Sequence, residues 1–207
     1  MQKFYIAVLG NMGSGKTTVA RLLAEELKAK LILENFANNP FLAKFYSDMK
    51  RWAFSSQAFF LTEKVKQIRK ISKIYLRSNI VQDTPLFQDI NIWAKAQLRT
   101  KNMEAAEWRL YRRLSKLFLD GLRQPDIYIF LQTSIPVLQD RINKRKREFE
   151  RDVPFSYLQV INKLLTEAVE KKLHHVLTIN TDESNFVSSD EDRKWLIKTV
   201  KDKIFHE

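Results

Sequence analysis

The sequence predicts an α/β fold of three layers: a five-stranded parallel sheet with helices on both faces. Two observations predict it. Gly10-Asn11-Met12-Gly13-Ser14-Gly15-Lys16-Thr17 matches the pattern G-x-x-x-x-G-K-[ST] in full, a loop whose backbone N–H groups cradle phosphates between a strand and a helix. Around it, five short runs, mostly β-branched or aromatic, alternate with helical stretches, as buried parallel strands alternate with their crossover helices.

The elements follow in order. The run 4–9, Phe4-Tyr5-Ile6-Ala7-Val8-Leu9, is apolar throughout and reads as the first, fully buried strand. The stretch 17–28 carries Val19, Leu22, Leu23 and Leu27 on one helical face. A second strand is expected at 30–33, closed by Glu34. A long helix over 50–75 has Trp52, Phe59, Val65, Ile68 and Ile71 among its apolar positions. The third strand, 79–82, is closed by Asp83. Helices are expected at 86–99 and 103–123, the latter stopped by Gln124-Pro125. A fourth strand at 126–131 follows. Pro154 opens another helix, a fifth strand runs over 175–179, and a last helix covers about 190–204. The polar segment 181–190 reads as a loop.

Three of the four glycines fall in the one phosphate loop, which makes a chance match less plausible. The phosphate-binding set is therefore Gly10, Asn11, Met12, Gly13, Ser14, Gly15, Lys16, Thr17 and Thr18. Lys16 is expected to reach the β- and γ-phosphates and Thr17 to ligate Mg²⁺. In a parallel sheet, ligands sit outside the carboxyl ends of the strands, where Glu34 and Asp83 both lie. A carboxylate there can ligate the metal or act as a base.

Composition narrows the partners. The 207 residues carry a net charge of +12 with pI about 9.8 and no Cys. Disulfides, thiolate metal sites and cysteine nucleophiles are excluded. No apolar stretch is long enough to span a membrane. No signal-peptide pattern precedes the first strand, so the chain is expected to work where it is made, and zero Cys suits a reducing cytoplasm. The basic residues are densest at Arg141, Lys144, Arg145, Lys146, Arg147 and Arg151. No aromatic-interleaved motif accompanies them, so the charge is read as serving nucleotide phosphates, not nucleic acid.

One stretch is more specific. Glu34-Asn35-Phe36-Ala37-Asn38-Asn39-Pro40, then Phe41 to Asp48 with Tyr46, then Arg51-Trp52 and Gln57, resembles the deoxyribonucleoside kinases, in particular the bacterial branch with Glu-x-x-x-x-Asn-Pro. The arginine-rich segment fits too, and the resemblance covers almost the whole chain. It implies a P-loop kinase fold in one domain, 1–207, with a lid over about 141–153. It implies transfer of the γ-phosphate of ATP, with Mg²⁺, to the 5′-hydroxyl of a deoxynucleoside, and a homodimer built through the 50–75 or 103–123 helix. Glu34 falls on the family's general base, Tyr46 and Glu150 on positions that hold the 3′-hydroxyl, Gln57 on the reader of the base edge, and Trp93 on a stacking aromatic. Arg141, Arg145 and Arg147 fall on lid arginines that close over phosphates.

Two positions depart from the family. Asp83-Thr84-Pro85 has threonine where an arginine usually follows the acid, with Pro85 expected to keep Thr84 extended. Either the enzyme is slowed, or another cation such as Arg51 or a lid arginine moves in; reduced but real activity is expected, with Thr84→Arg raising turnover. Lys64 stands where an arginine usually pairs with the acid at Asp89. Asp89 can still accept from an exocyclic amine, which favours a deoxy-purine, with deoxycytidine next. The residues alone also fit a P-loop kinase of another small hydroxyl substrate, or a nucleotide-binding homologue with little catalysis.

Overall fold

A computed structural model describes residues 3–34, 36–119, 121–145, 153–171 and 173–205. The strands are β1 (Tyr5–Gly10), β2 (Lys30–Ile32), β3 (Ile80–Asp83), β4 (Ile127–Gln132) and β5 (Val176–Asn180). They pair in the order β2-β3-β1-β4-β5, every pair parallel. Each expected strand is present, shifted by a residue or two. All of β1 is buried, which explains why its sequence is apolar on both faces.

The helices are α1 (Lys16–Glu26), α2 (Leu42–Ser47), α3 (Met49–Tyr75), α4 (Leu86–Gln88), α5 (Ala94–Arg99), α6 (Ala105–Leu119), α7 (Ile135–Arg145), α8 (Phe155–Lys171) and α9 (Asp190–Phe205). On one sheet face, Val19, Ala20 and Leu23 of α1 and Leu196 and Val200 of α9 pack on Ile6, Val8, Val81 and Ile129. On the other, Leu61, Val65, Ile68 and Ile71 of α3 and Tyr111 of α6 pack on Tyr5 and Ile80, while Tyr157, Leu158 and Ile161 of α8 pack on Ala7, Leu9 and Phe130. The three layers of the expected fold are therefore present.

Two local features were not expected. The chain after β2 forms a 3₁₀ turn, Phe36–Asn38, and then α2. The stretch read as one helix over 86–99 is broken by a π-helical turn, Asp89–Trp93, between α4 and α5. Helix α3 starts at a cap: the Asp48 carboxylate accepts from the Arg51 backbone N–H at 3.0 Å.

The register sets the working edge. Val8 pairs with Asp83, and Gly10 with Leu131. Beyond Gly10 the chain turns through Gly13 (φ 85°) and Gly15 (φ 94°) into α1. Both need the left-handed region, which glycine reaches without penalty. At Gly13 space matters as well. A Cβ there would lie 3.0 Å from the Leu138 carbonyl oxygen and 3.2 Å from Ile142 Cγ1 of α7. Gly13→Ala is thus expected to destabilise the fold by about 1–3 kcal/mol. Chemical denaturation reads this directly, and an unchanged midpoint would mean that α7 gives way.

Candidate active site

The phosphate loop is tied down from beneath. The Gln88 side-chain amide clamps Gly10 from both sides, accepting from its N–H at 3.1 Å and donating to its carbonyl at 2.7 Å. Asn11 Nδ2 donates to the Leu158 carbonyl (3.0 Å) and to Asn162 Oδ1 (2.7 Å), and Asn11 Oδ1 accepts from the Met12 N–H (2.7 Å). Lys16 Nζ donates to the Asn11 carbonyl at 2.9 Å and lies 6.0 Å from the Trp93 ring centroid. The bonds from α4 and α8 fix the loop's shape, as a phosphate cradle requires.

At the mouth of the loop, Thr17 Oγ1 donates to Asp83 Oδ2 at 2.5 Å, and Thr84 Oγ1 donates to Asp83 Oδ1 at 3.0 Å. Among the described residues, no group of three or more His, Cys, Asp or Glu could hold a metal ion. A neighbouring hydroxyl and carboxylate are nevertheless the set a Mg²⁺ uses when it keeps several waters and takes phosphate oxygens as its other ligands. The site fits that ion, with Thr17 and Asp83 as the residues to hold it.

Behind them lies a pocket of about 870 Å³, its open mouth included. Lys16, Thr17, Glu34, Tyr46, Gln57, Asp83, Asp89, Trp93 and Arg145 all line it. A second cavity reaches over Gly15, Thr18 and Arg21 and shares Thr17, Glu34, Phe36, Asp83 and Arg145 with the first. Those five residues stand at the junction of the two spaces.

Lys64 organises the back of the pocket. Its Nζ lies 3.1 Å from Glu34 Oε1 and 4.0 Å from Asp89 Oδ2, with side-chain exposures of 4%, 21% and 2% for Lys64, Glu34 and Asp89. It also donates to the Thr84 carbonyl. Burial alone would push the Lys64 ammonium down, but the Glu34 and Asp89 carboxylates outweigh it and hold its pKa above the ordinary value. Two buried acceptors, Gln57 Oε1 and Asp89 Oδ2, have no hydrogen-bond partner among the described residues, and both belong to the pocket lining. An unpaired buried acceptor is costly, so each is a place for a ligand donor.

Several expectations change. Thr84 is not extended: its φ is 57°, a left-handed conformation that is uncommon for a β-branched residue and costs on the order of 1–3 kcal/mol. Its N–H on the Val8 carbonyl (3.2 Å), its hydroxyl on Asp83 and its carbonyl under Lys64 hold it there. Arg51 does not supply the missing charge, because its guanidinium lies 5.0 Å from the Trp52 ring centroid, outside the pocket. Lys64 is a cation paired with Glu34. Thr84 itself is fully buried, so an arginine there would crowd Lys64 and its partners, and the expected gain from Thr84→Arg no longer follows.

Arg141 donates to Thr181 Oγ1 (3.2 Å), the Thr181 carbonyl (2.6 Å) and the Ser184 carbonyl (3.3 Å), on the loop after β5, and is not among the residues that line the pocket. Arg145 is the arginine of that helix that lines the pocket. Arg147 and Glu150 lie outside the described residues. Met12, Gly13 and Thr84 also line the pocket, as do Phe36, Leu42, Phe45, Ser56, Phe60 and Tyr157, which were not foreseen as site residues. Phe60 and Leu42 carried a signal, each being one helical turn from an expected site residue, Gln57 and Tyr46.

The deoxynucleoside kinase family model matches residues 6–205. A deoxyguanosine kinase of Bacillus subtilis (strain 168) is 31% identical over 207 residues, covering 97% of this chain and 97% of that protein. A deoxyadenosine/deoxycytidine kinase of the same organism is 33% identical over 154 residues, covering 73% and 70%. The structure of deoxyadenosine kinase from M. mycoides with bound dATP has a TM-score of 0.82 and 25% identity, over 97% of this chain and 98% of that one.

Burial raises the Asp89 carboxyl well above its ordinary value; Lys64 opposes the rise and Glu34 adds to it. A carboxyl raised on folding costs stability as the pH climbs from its unfolded value through its folded one. Asp89→Asn is therefore expected to raise the urea midpoint at about pH 8, the gain fading as the pH falls through the raised value towards the ordinary carboxylate range and gone below it. A lower midpoint at the higher pH would show that Asp89 stabilises the fold through Lys64 instead.

Proposed function

The chain belongs to the deoxynucleoside kinase family, and we propose that it transfers the γ-phosphate of ATP to the 5′-hydroxyl of a deoxynucleoside. One observation carries the reading: Glu34, Asp83, Thr17 and Arg145 meet at the junction of two cavities, with Lys16 beside them. The pocket behind Glu34 takes the nucleoside, and the groove over the phosphate loop takes the triphosphate.

In this mechanism Glu34 accepts the proton of the 5′-hydroxyl. The oxygen forms a bond to the γ-phosphorus, the bond to the β,γ-bridging oxygen breaks, and ADP leaves with that electron pair. Lys16 and the loop N–H groups hold the phosphates, and Arg145 faces the junction to meet the charge that develops on the transferred group. Mg²⁺, held by Thr17 and Asp83, would neutralise phosphate charge. Tyr46, Glu150 and Trp93 serve the sugar and the base, and Arg147 joins Arg145 in the lid over about 141–153. Lys64 aims Glu34 through their ion pair at 3.1 Å and supplies the charge that a neutral Thr84 does not provide. Arg141 steadies the loop after β5.

The nucleobase follows from two buried acceptors that receive no hydrogen bond among the described residues. Gln57 Oε1 and Asp89 Oδ2 call for donors, and an exocyclic amine supplies them. We therefore favour deoxyadenosine or another deoxy-purine, with deoxycytidine next. Thymidine offers no such amine. We further infer a single domain working in the cytoplasm, the +12 charge serving nucleotide phosphates. No described helix is long and apolar enough to cross a membrane.

A phosphate-transfer screen of the purified chain against the common deoxy- and ribonucleosides tests the reading. Turnover is expected on a deoxy-purine above thymidine. Lys16→Ala should abolish it, and Glu34→Gln should lower kcat by about 10²–10⁴-fold, the usual worth of a positioned general base. Near-full turnover in Glu34→Gln would remove Glu34 from the chemistry.

We also infer a homodimer. Helix α6 leaves Leu110 and Leu117 exposed beside Arg109, Arg112 and Arg113, a face suited to pack against a second copy. Light scattering at micromolar concentration should give twice the chain mass, and a monomeric mass would reject the dimer.

A further inference from the structure

Glu34 has no strand to hold it. The β2–β3 pairing ends at Ile32, opposite Gln82, so the two residues that lead into the pocket lie past the last sheet register. An unsupported backbone there would let the carboxylate wander, and misplacement by about 1 Å at a reacting group can cost 10²-fold in rate.

A chain of side chains takes over where the sheet stops. The Tyr5 hydroxyl, buried in β1, donates to Gln82 Oε1. Gln82 Nε2 donates to Gln67 Oε1 at 2.7 Å, and Gln67 Nε2 donates to the Leu33 carbonyl at 2.8 Å. Each amide gives and receives one bond, so the direction of the whole chain is fixed. Burial pushes the Tyr5 phenol far up, so it stays protonated and remains the donor. Tyr5 and Gln82 are buried on the α3 side of the sheet, where an apolar pair would fill the space without needing partners. Gln67 lies on the same face of α3 as Gln57 and Lys64. One helix would then carry a base reader, the cation on Glu34 and the support of its backbone.

We propose that Gln67, oriented by Gln82 and Tyr5, is a positioning residue that fixes Glu34 through the Leu33 carbonyl. This rests on Glu34 being the base of the kinase reaction. Its effect is on the rate of transfer and not on substrate affinity.

Two variants test it beside the wild type and Glu34→Gln. Gln67→Met keeps the length and loses the donor. It should lower kcat about tenfold, leave both KM values within about twofold, and speed amide exchange in the peptide carrying Glu34. Gln67→Glu still accepts from Gln82, but as a carboxylate it repels the Leu33 carbonyl, and once protonated it donates to it again. Its activity relative to wild type at the same pH should rise as the pH falls through the range of that carboxyl. A merely structural glutamine would not produce that recovery. Unchanged kcat in Gln67→Met, or a flat activity ratio for Gln67→Glu, overturns the proposal. If Glu34→Gln is slow while both Gln67 variants match wild type, only the positioning role fails. If Glu34→Gln is not slow, or no nucleoside is phosphorylated, the kinase reading fails first. The exchange measurement then still decides whether Gln67 holds the segment.

Discussion

An ammonium group taken out of water is tolerated only where its protons find acceptors and its charge finds a counter-charge. Lys64 meets both conditions with one carboxylate after β2, one carboxylate on the π turn and the carbonyl of a left-handed residue after β3. Three segments distant in sequence converge on one nitrogen. Glu34 and the Thr84 carbonyl both lie within hydrogen-bond reach of that nitrogen, so these segments are held at their mutual distances by more than loop stiffness. Glu34, Asp89 and the strained Thr84 all line the pocket, so its shape follows from that arrangement.

The parts of this site that were legible in the sequence are those encoded locally. The phosphate loop, the strand before it and the helix after it lie in one continuous stretch, so a pattern suffices to find them. Glu34 and Asp83 could be placed because a parallel sheet presents the carboxyl ends of its strands along one edge. What could not be read depends on partners far away in the chain. The Glu34–Lys64 pair spans three elements, and nothing near either residue announces the other. Pro85 argued for an extended Thr84, a local preference that three hydrogen bonds override. Arg141 and Arg145 share a helix face by spacing, yet Arg141 is drawn to the carbonyls after β5. Spacing fixes a face but does not say what that face meets.

Two layers of support surround the site, and they differ in kind. The phosphate loop is gripped by neutral amides, Gln88 on Gly10 and Asn11 on Leu158 and Asn162, which hold shape without competing for a phosphate's charge. The nucleoside side is held by ions, whose grip changes when a ligand adds or removes a donor. Helix α7 belongs to both, since its Leu138 backbone abuts Gly13 and its last residue, Arg145, lines the pocket. A displacement of α7 would therefore be felt at the loop and at the junction together.

The π-helical turn at Asp89–Trp93 has a bearing on how this protein can change in length over evolutionary time. Such a turn carries one residue more than the α-helix it interrupts, and one residue is about 100° of rotation. The helix before it delivers Gln88 to Gly10, and the helix after it delivers Gln97 to the Tyr157 hydroxyl at 2.6 Å. Both deliveries are met because the extra residue sets the angular phase between them. A deletion anywhere in those five positions would straighten the helix and swing one of the two amides away from its target. Loops elsewhere can gain or lose residues at little cost; this segment, although helical, has a length that is fixed by the angle its two ends must keep.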